Sequence, residues 1–357
     1  MIMKSENRTA ADIVAAVSPQ VKSLKEELRL LHKRYDALRL ESGSISNFMD
    51  DIATSVRPIK PVAPIYETPK KGEAHVSSPV EACLHLTDWH IGEVVKAEET
   101  EGINAFSPEI ADKRITKLGK IFLDWIEVRR QGYQVDTLRV LCTGDFISGD
   151  IHPELVTTNA YPIPMQATEA GHKLAKLVSG LAPHFKEVII EFLTVDNHSR
   201  LTKKIQFSEA GLNSMGFIVG SISKLMLRDH ENVTFNLHTV DSVVVKIAGT
   251  GFQLRHGHTI RGVMGIPYYG FDRAARNQSR MRLNNPKAPN FSIMLCGHFH
   301  APARMGGVGH GVSWWIGGSL GGTTALDHAF DRFAPPCQTA FLMHPKHGDL
   351  DYNVFKL

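Results

Sequence analysis

Short apolar runs alternate with amphipathic stretches along the chain from residue 81 onward. Nine runs rich in apolar and β-branched residues predict strands at Ala82–Leu86, Thr137–Cys142, Val188–Leu193, Val233–Leu237, Val243–Ala248, Phe252–Arg255, Ser292–Cys296, Trp314–Ile316 and Ala340–Met343. Four longer stretches, with apolar residues at intervals of three and four, predict helices at Pro108–Arg129, Met165–Leu181, Gly211–Arg228 and Phe271–Arg282. Strands that alternate with helices, followed by a strand-rich second half, predict a layered α/β fold.

The first eighty residues have a different pattern. Apolar residues recur with spacings of three and four from Val21 to Leu38, and charged residues fill the positions between them. This pattern, over about three heptads, predicts an N-terminal helical segment at residues 1–54. The segment is either a coiled coil that dimerises the chain or docks a partner, or an amphipathic helix that lies on the main domain. Prolines at positions 58, 61, 64 and 69 predict an extended linker over residues 55–80, before a main domain at residues 81–357.

Composition excludes several classes of protein. The chain has 357 residues, of which 43% are hydrophobic and 22% charged, which is typical of a folded globular protein and not of a disordered one. No apolar run approaches the ~18 residues of a membrane-spanning helix, and the N-terminus lacks the apolar core of a signal peptide, so a cytoplasmic protein is expected. The net charge of +3 permits binding to a polyanion.

The cysteine positions argue against a structural zinc cluster. None of the four cysteines forms a C-x-x-C pair, and three lie inside apolar runs. We therefore expect buried thiols in the core of a reduced cytosolic protein. The four are Cys83, Cys142, Cys296 and Cys337.

Five motifs rich in Asp, Asn and His follow predicted strands: LHLTDWHIG, VLCTGDFISGD, FLTVDNHSR, FQLRHGH and IMLCGHFH. In α/β folds, functional sites gather at the carboxyl ends of the strands. Strand alternation is expected to point both ends of a D-x-H or H-x-H triplet to the same side. The side chains able to bind a metal or move a proton are Asp88, His90, Asp145, Asn197, His198, His256, His258, His298 and His300.

These donors are too numerous for one ion. Two carboxylates, one amide oxygen and about four imidazoles suit two divalent cations that share a bridging carboxylate. Nitrogen and oxygen donors without thiolate suit Mn²⁺, Fe²⁺ or Zn²⁺ better than Ca²⁺ or Mg²⁺ alone. We expect Mn²⁺ first, with Fe²⁺, Zn²⁺ or Mg²⁺ as other occupants. Two ions about 3.5–4 Å apart form a clamp suited to the cleavage of phosphate esters.

The ordered series D-x-H, G-D, N-H, H-G-H and G-H-x-H resembles the calcineurin-like metallophosphoesterase family over residues 82–300, and WIGGSLGG at 315–322 resembles that family's closing strand and turn. The resemblance implies a four-layer α/β/β/α sandwich with a two-metal site. It implies that one ion is bound by Asp88, His90, Asp145 and His300. It implies that the second ion shares Asp145 and is bound by Asn197, His256 and His298. His198 would be the general acid that protonates the leaving alkoxide or stabilises the transition state.

Two residues depart from the family pattern. Asp196 stands where the family usually has glycine, and Ser199 stands where it usually has an acid. We expect the turn to survive because aspartate tolerates the left-handed backbone conformation better than most residues. Loss of the acid removes a possible orienting partner of His198. In the fourth motif the family ligand is usually the first histidine, which favours His256 over His258.

The first motif, TDWHIG, resembles the opening of the Mre11/SbcD-type DNA-repair exonuclease branch. A DNA exonuclease or endonuclease is therefore the leading hypothesis, with Arg200 and His258 as candidate substrate contacts. The alternatives are a phosphomonoesterase or small-molecule phosphodiesterase on the same site, and a non-catalytic binding scaffold. No G-x-x-x-x-G-K-[ST] motif is present, so an ATPase partner would be another polypeptide.

Overall fold

The computed structural model describes residues 50, 52–66, 79–261, 267–285, 287–306 and 311–357. Arg57–Leu357 forms one compact unit. The heptad pattern lies outside the described residues, so the predicted N-terminal helix, its pairing and the domain boundaries stay predictions. Among the described residues, no helix combines the length and the hydropathy that crossing a bilayer requires.

Two β-sheets form the centre of this unit. The first sheet has the order β11-β10-β1-β2-β3-β4, in which β1 to β4 are parallel and β10 pairs antiparallel with β1. Its strands are β1 (Pro79–Leu86), β2 (Gln134–Cys142), β3 (Glu187–Leu193), β4 (Val233–His238), β10 (Cys337–His344) and β11 (Gly348–Lys356). The second sheet has the order β5-β6-β7-β9-β8. Its strands are β5 (Ser242–Ile247), β6 (Thr250–Arg255), β7 (Ile293–Cys296), β8 (Ala303–Gly306) and β9 (Ser313–Ile316).

Helices cover the outer faces of both sheets. In chain order they are α1 (Pro108–Arg130), α2 (Pro153–Thr158), α3 (Ile163–Leu181), α4 (Met215–Met226), α5 (Tyr268–Leu283) and α6 (Ala325–Ala329). On the first sheet, the Phe122 ring of α1 lies 6.2 Å from the Phe355 ring of β11. On the second sheet, the Phe271 ring of α5 stacks on Trp314 of β9 at 5.0 Å.

The main core lies between the two sheets. Leu141 and Phe341 of the first sheet are fully buried together with Phe252 of the second sheet, and the Phe252 and Phe341 rings stack at 5.6 Å. Burying these side chains removes a large apolar area from water, which is the main driving force for this architecture. The layer order is therefore α/β/β/α, which confirms the predicted fold class. All four cysteines are buried and unpaired, as expected.

The structure contains every predicted strand and the four long helices, with differences at some boundaries. The helix predicted from Gly211 begins at Met215, because the Ser214 side chain caps it by accepting a hydrogen bond from the Gly216 amide. Strands β8 and β11 were not predicted. β8 is four residues long and mostly exposed, and β11 carries polar residues at most of its exposed positions, so neither has the apolar pattern of a core strand.

The proline-rich segment is attached to the domain where the structure describes it. The amide of Ile59 donates to the Met226 carbonyl at 2.9 Å, and the amide of Ile65 donates to the Pro183 carbonyl at 2.8 Å. The Tyr66 hydroxyl donates to Asp136 at 2.8 Å. Residues 57–66 contain no helix or strand and lie on the domain surface, and the predicted linker over residues 55–80 stays a prediction.

Candidate metal centre

The predicted site residues meet at one edge of the sandwich. Each follows the carboxyl end of a strand. These ends lie together because the strands are parallel within their sheets and the two sheets pack face to face. The motifs follow β1, β2 and β3 in the first sheet and β6 and β7 in the second. The prediction that far-apart motifs converge therefore agrees with the positions of these loops.

Five of the candidate ligands have a left-handed backbone. They are Asp88 (φ 52°), His90 (φ 47°), Asp145 (φ 51°), His298 (φ 72°) and His300 (φ 58°). Each such conformation costs a non-glycine residue on the order of 1 kcal/mol or more, and strain of this kind concentrates at functional sites. The expectation that strand alternation aligns each pair is wrong, because β1 ends at Leu86 and β7 ends at Cys296. Tight turns beyond the strands aim these side chains.

The first group of side chains consists of Asp88, His90 and His300. The Nε2 atoms of the two histidines are 3.1 Å apart. Oδ1 of Asp88 lies 3.5 Å from Nε2 of His300 and 3.9 Å from Nε2 of His90. The Thr87 hydroxyl donates to the Asp88 carboxylate at 2.8 Å, which fixes its orientation. Three donor atoms thus point at one small volume.

The second group consists of Asp145, His256 and His298. Nε2 of His256 lies 2.9 Å from Oδ2 of Asp145 and 2.9 Å from Oδ1 of Asn197. On the other side of the ring, Nδ1 of His256 lies 2.9 Å from the carbonyl oxygen of Thr143. A proton on Nδ1 satisfies that carbonyl and leaves Nε2 free as a ligand, which is the usual arrangement of a metal-binding histidine.

His198 forms a third group with His90 and Asp145, which connects the first two groups. Its Nε2 is 3.9 Å from Oδ2 of Asp145, and its ring is 4.5 Å from the His90 ring. Its Nδ1 lies 2.5 Å from the Ser148 carbonyl oxygen, and its amide donates to Oδ1 of Asp145 at 3.0 Å. The Ser148 carbonyl therefore orients His198, in the place of the acid that the sequence lacks at position 199.

Asp196 and Ser199 form a hydrogen-bonded bridge to the second group. Oδ2 of Asp196 accepts hydrogen bonds from the Asp145 amide at 2.9 Å and the Ser199 hydroxyl at 3.0 Å, and its Oδ1 accepts one from the Ser199 amide at 2.6 Å. Asp196 does not adopt the left-handed conformation expected of it. Its side chain, which a glycine lacks, ties the Asn197 turn to the Asp145 turn.

The two candidate substrate contacts lie beside the groups and outside them. The Arg200 guanidinium donates to the backbone carbonyls of Asn197 at 2.6 Å and Thr202 at 3.0 Å, so it stabilises its own loop. The half-buried His258 ring lies 5.7 Å from the His256 ring. His256 and not His258 belongs to the second group, as the family pattern implies. A substrate role for Arg200 or His258 stays a prediction.

Sequence reasoning missed Asp327. Its Oδ2 lies 3.8 Å from Nδ1 of His300, and it also accepts hydrogen bonds from Thr324 at the start of α6. Burial lowers the pKa of His300, but Asp327 and Asp88 outweigh burial and raise that pKa to about 9. The T-x-x-D pattern signals a helix start, and nothing in the sequence signals that this helix faces the fifth motif.

The electrostatics of the groups suit cation binding. Asp88 and Asp145 are essentially fully buried, and two buried carboxylates require compensating positive charge. Burial raises the pKa of Asp88, whereas at Asp145 the neighbouring His256 and His198 outweigh burial and hold the pKa well below its ordinary value. Burial, followed by neighbouring histidines, holds the pKa of His90 and His298 well below the ordinary value.

The donor set also fits the metals expected from the sequence. His90 and His298 are neutral at pH 7, with lone pairs available, and Nδ1 of His90 is buried without a hydrogen-bond partner among the described residues. The donors are imidazole nitrogens and carboxylate or amide oxygens with no thiolate, which suits Mn²⁺, Fe²⁺ or Zn²⁺. The residues present therefore fit one or two divalent cations.

No protein-family model and no curated protein matches the chain. Among solved structures, it is similar to Vps29 complexed with zinc from Entamoeba histolytica, at 14% identity and a TM-score of 0.31, over 77% of this chain and 98% of that one. A predicted phosphoesterase from Streptococcus pneumoniae matches at 10% identity and a TM-score of 0.28, over 79% of this chain and 100% of that one. Phosphopantetheinyl hydrolase from Mycobacterium tuberculosis matches at 11% identity and a TM-score of 0.25, over 68% of this chain and 91% of that one. Sequence identities and TM-scores this low do not support assigning the activities of those proteins to this chain.

Proposed function

We propose that this chain is a metal-dependent phosphoesterase that hydrolyses phosphate diesters, and that its substrate is DNA. One observation carries the proposal. Three overlapping groups of Asp and His side chains converge at the carboxyl edge of the sandwich, and the third, His90, Asp145 and His198, connects the other two. The proposal includes two divalent cations, for which the donors suit Mn²⁺, Fe²⁺ or Zn²⁺, and we propose Mn²⁺ as the first choice.

The side chains have separate roles in this proposal. The Asp and His groups would hold a pair of divalent cations, which would polarise the phosphoryl oxygens and make a water-derived nucleophile available at neutral pH. Asp145 supplies negative charge between the groups, and Asp88 supplies it to the first. His198, with Nδ1 fixed on the Ser148 carbonyl, holds a proton at Nε2 and delivers it to the leaving alkoxide.

Support for DNA comes from the sequence around the centre. The TDWHIG motif resembles the DNA-repair exonuclease branch, and the exposed Lys203 and Lys204 follow His198 closely in the chain. Exposed lysines beside a phosphoester site can neutralise backbone phosphates. A cytoplasmic location and dimerisation or partner docking through residues 1–54 remain predictions that accompany this proposal.

The test compares substrates and metals. The full chain is stripped with a chelator, reloaded with Mn²⁺, Zn²⁺, Fe²⁺ or Mg²⁺, and assayed with a chromogenic phosphodiester, a chromogenic monoester and linear and circular DNA. Asp145→Asn serves as the matched inactive control. Metal-dependent turnover of the diester and of DNA supports the proposal. Preference for the monoester would indicate the phosphomonoesterase, and metal binding without turnover of any substrate would indicate a scaffold.

A further inference from the structure

The outward face of α5 is a stripe of arginines. Tyr269, Arg273, Arg276 and Arg280 recur at spacings of four, three and four, and all four side chains are exposed. These spacings place them on one side of a helix. The opposite side buries Phe271 against the second sheet. Since α5 already buries its apolar side, the stripe faces solvent.

Positive charge is concentrated on this helix. Residues 268–290 contain five basic residues and one acidic residue, Asp272, whereas the whole chain carries a net charge of only +3. Asp272 pairs with Arg276 at 2.7 Å. Within the described part of the chain, Arg273 and Arg280 have no acidic partner. Two unneutralised guanidinium groups therefore lie seven residues apart, about 10 Å along the helix axis.

The N-terminal turn of α5, where the stripe starts, is connected to the metal centre through its buried side. The Phe271 ring of α5 lies 5.2 Å from the Phe299 ring, which in turn lies 5.0 Å from the ring of the ligand candidate His298. α5 connects two parallel strands, β6 and β7, so it starts at their carboxyl edge and runs away from it. Tyr269 is therefore at the end nearest the centre, and Arg280 is farther away.

We propose that this stripe, the outward face of α5 from Tyr269 to Arg280, binds the phosphates of a single nucleic-acid strand and leads that strand to the metal centre. The inference rests on the proposed function, because it names the substrate class of the same site. Arginine forks bind phosphate in a bidentate manner, and an exposed tyrosine ring stacks on an unpaired base. The stripe thus has the cationic track and the aromatic platform that single-strand binding uses.

A membrane surface is a poorer match for the stripe. Interfacial helices insert an apolar face between lipids, and the apolar side of α5 is already buried against the second sheet. The exposed positions between Tyr269 and Arg280 are Arg273, Arg276 and Asn277, and the exposed Met281 and Leu283 lie beyond Arg280. Nucleic acid needs only charge and stacking at those positions, and the adjacent centre is suited to phosphodiesters.

The test measures binding in the absence of metal. Fluorescence anisotropy of a labelled 20-nucleotide poly-dT strand is recorded in EDTA over a range of salt concentrations, for the wild type, Arg273→Gln/Arg280→Gln and Tyr269→Ala. The matched control is Lys113→Gln/Lys117→Gln, which removes the same charge from exposed positions of α1 on the other outer layer. All variants alter exposed residues, and thermal unfolding checks that each is folded.

The arginine pair should weaken binding by roughly tenfold or more at low salt. It should also reduce the slope of log affinity against log salt by about 1.4, since each single-strand phosphate contact contributes about 0.7. Tyr269→Ala should lower affinity with an unchanged slope, and the α1 control should match the wild type. Equal losses in both double variants, no binding by the wild type, or preferential binding to phosphatidylserine vesicles would each overturn the inference.

Failure of the inference is distinguishable from failure of the proposed function. Turnover of the small chromogenic diester by the metal-loaded wild type tests the centre alone, and strand binding in EDTA tests the stripe alone. Diester turnover with strand binding that does not depend on Arg273 and Arg280 would overturn only the inference. Strand binding that depends on both arginines, without turnover of any ester, would instead contradict the proposed function.

Discussion

The Asp196 carboxylate accepts a hydrogen bond from the Asp145 amide at 2.9 Å, so Asp196 holds the turn of the proposed bridging ligand. Asp196→Ala should lower metal affinity and stability, because it leaves the amides of Asp145 and Ser199 without their buried acceptor, at a cost of about 1–3 kcal/mol each. Calorimetric titration with Mn²⁺ measures the affinity.

Asp196→Asn is the control for that prediction. The asparagine loses the negative charge and keeps one acceptor oxygen, which can serve the Asp145 amide or the Ser199 amide but not both. Burial and the neighbouring Asp145 raise the pKa of Asp196 to about 7, which indicates that this charge is unfavourable where it lies. Asp196→Asn should therefore lose less metal affinity than Asp196→Ala, because one of the two amides keeps its acceptor. Equal losses of Mn²⁺ affinity in the two variants would show that the hydrogen bonds of Asp196 do not determine metal binding.

His198→Asn should separate proton transfer from metal binding. The His198 Nε2 lies 3.9 Å from Asp145, and we assign it the role of general acid. Metal content, measured by mass spectrometry, should stay near the wild-type value, while turnover of a diester falls by roughly 10²–10⁴. Because His198 also groups with His90 and Asp145, loss of metal in this variant would assign it as a ligand instead.

Gly297→Ala should displace the Asp88 carboxylate. A Cβ at Gly297 would collide with the Thr87 hydroxyl and would lie 2.5 Å from Oδ2 of Asp88, which is closer than real Cβ contacts allow. The variant should therefore bind less metal in the first group, while the fold is retained. Gly180→Ala is a matched control, because a Cβ there meets nothing within 4 Å and its position inside α3 predicts stabilisation by roughly 0.5–1 kcal/mol. Equal metal content in the two variants would contradict the prediction.

His85 should make the metal-free protein less stable in acid. Its ring is buried between Thr143 and Thr339, and burial lowers its pKa from 6.5 to about 3. Between these values the unfolded chain binds a proton that the folded chain does not. Above pH 6.5 both states are neutral at His85 and the free energy of unfolding keeps its full value. As the pH falls from 6.5 towards 3, the free energy of unfolding decreases by about 1.4 kcal/mol per pH unit.

Urea unfolding in EDTA between pH 4.5 and 6 measures this effect. His85→Gln keeps a polar side chain at the same position but cannot take up the proton. The slope of its free energy of unfolding against pH should therefore be smaller than that of the wild type by about 1.4 kcal/mol per pH unit. Identical slopes for the two proteins would exclude His85 as the cause.

Much of the layout could be predicted from the sequence, for a physical reason. Buried parallel strands are nearly continuous apolar runs, and the polar residue that ends each run is at the carboxyl edge where the site forms. The edge strand β11 escaped prediction because it is half exposed and polar.

The orientation of individual side chains could not be predicted in this way. The left-handed turns at Asp88 and His298 and the contact between His198 and the Ser148 carbonyl depend on tertiary packing. The same holds for Asp327, which reaches His300 only because α6 folds against the fifth motif. The arginine spacing in α5 is visible in the sequence, but only the burial of Phe271 shows which side of the helix faces solvent.

The central claim is that two cations bind on either side of Asp145. The most direct measurement is a crystal structure of the Mn²⁺-soaked protein, with an anomalous difference map recorded near the manganese edge. We predict two peaks about 3.5–4 Å apart, one at Asp88, His90 and His300 and one at His256 and His298, with the Asp145 carboxylate between them. A single peak, or two peaks that do not both contact Asp145, would contradict the account.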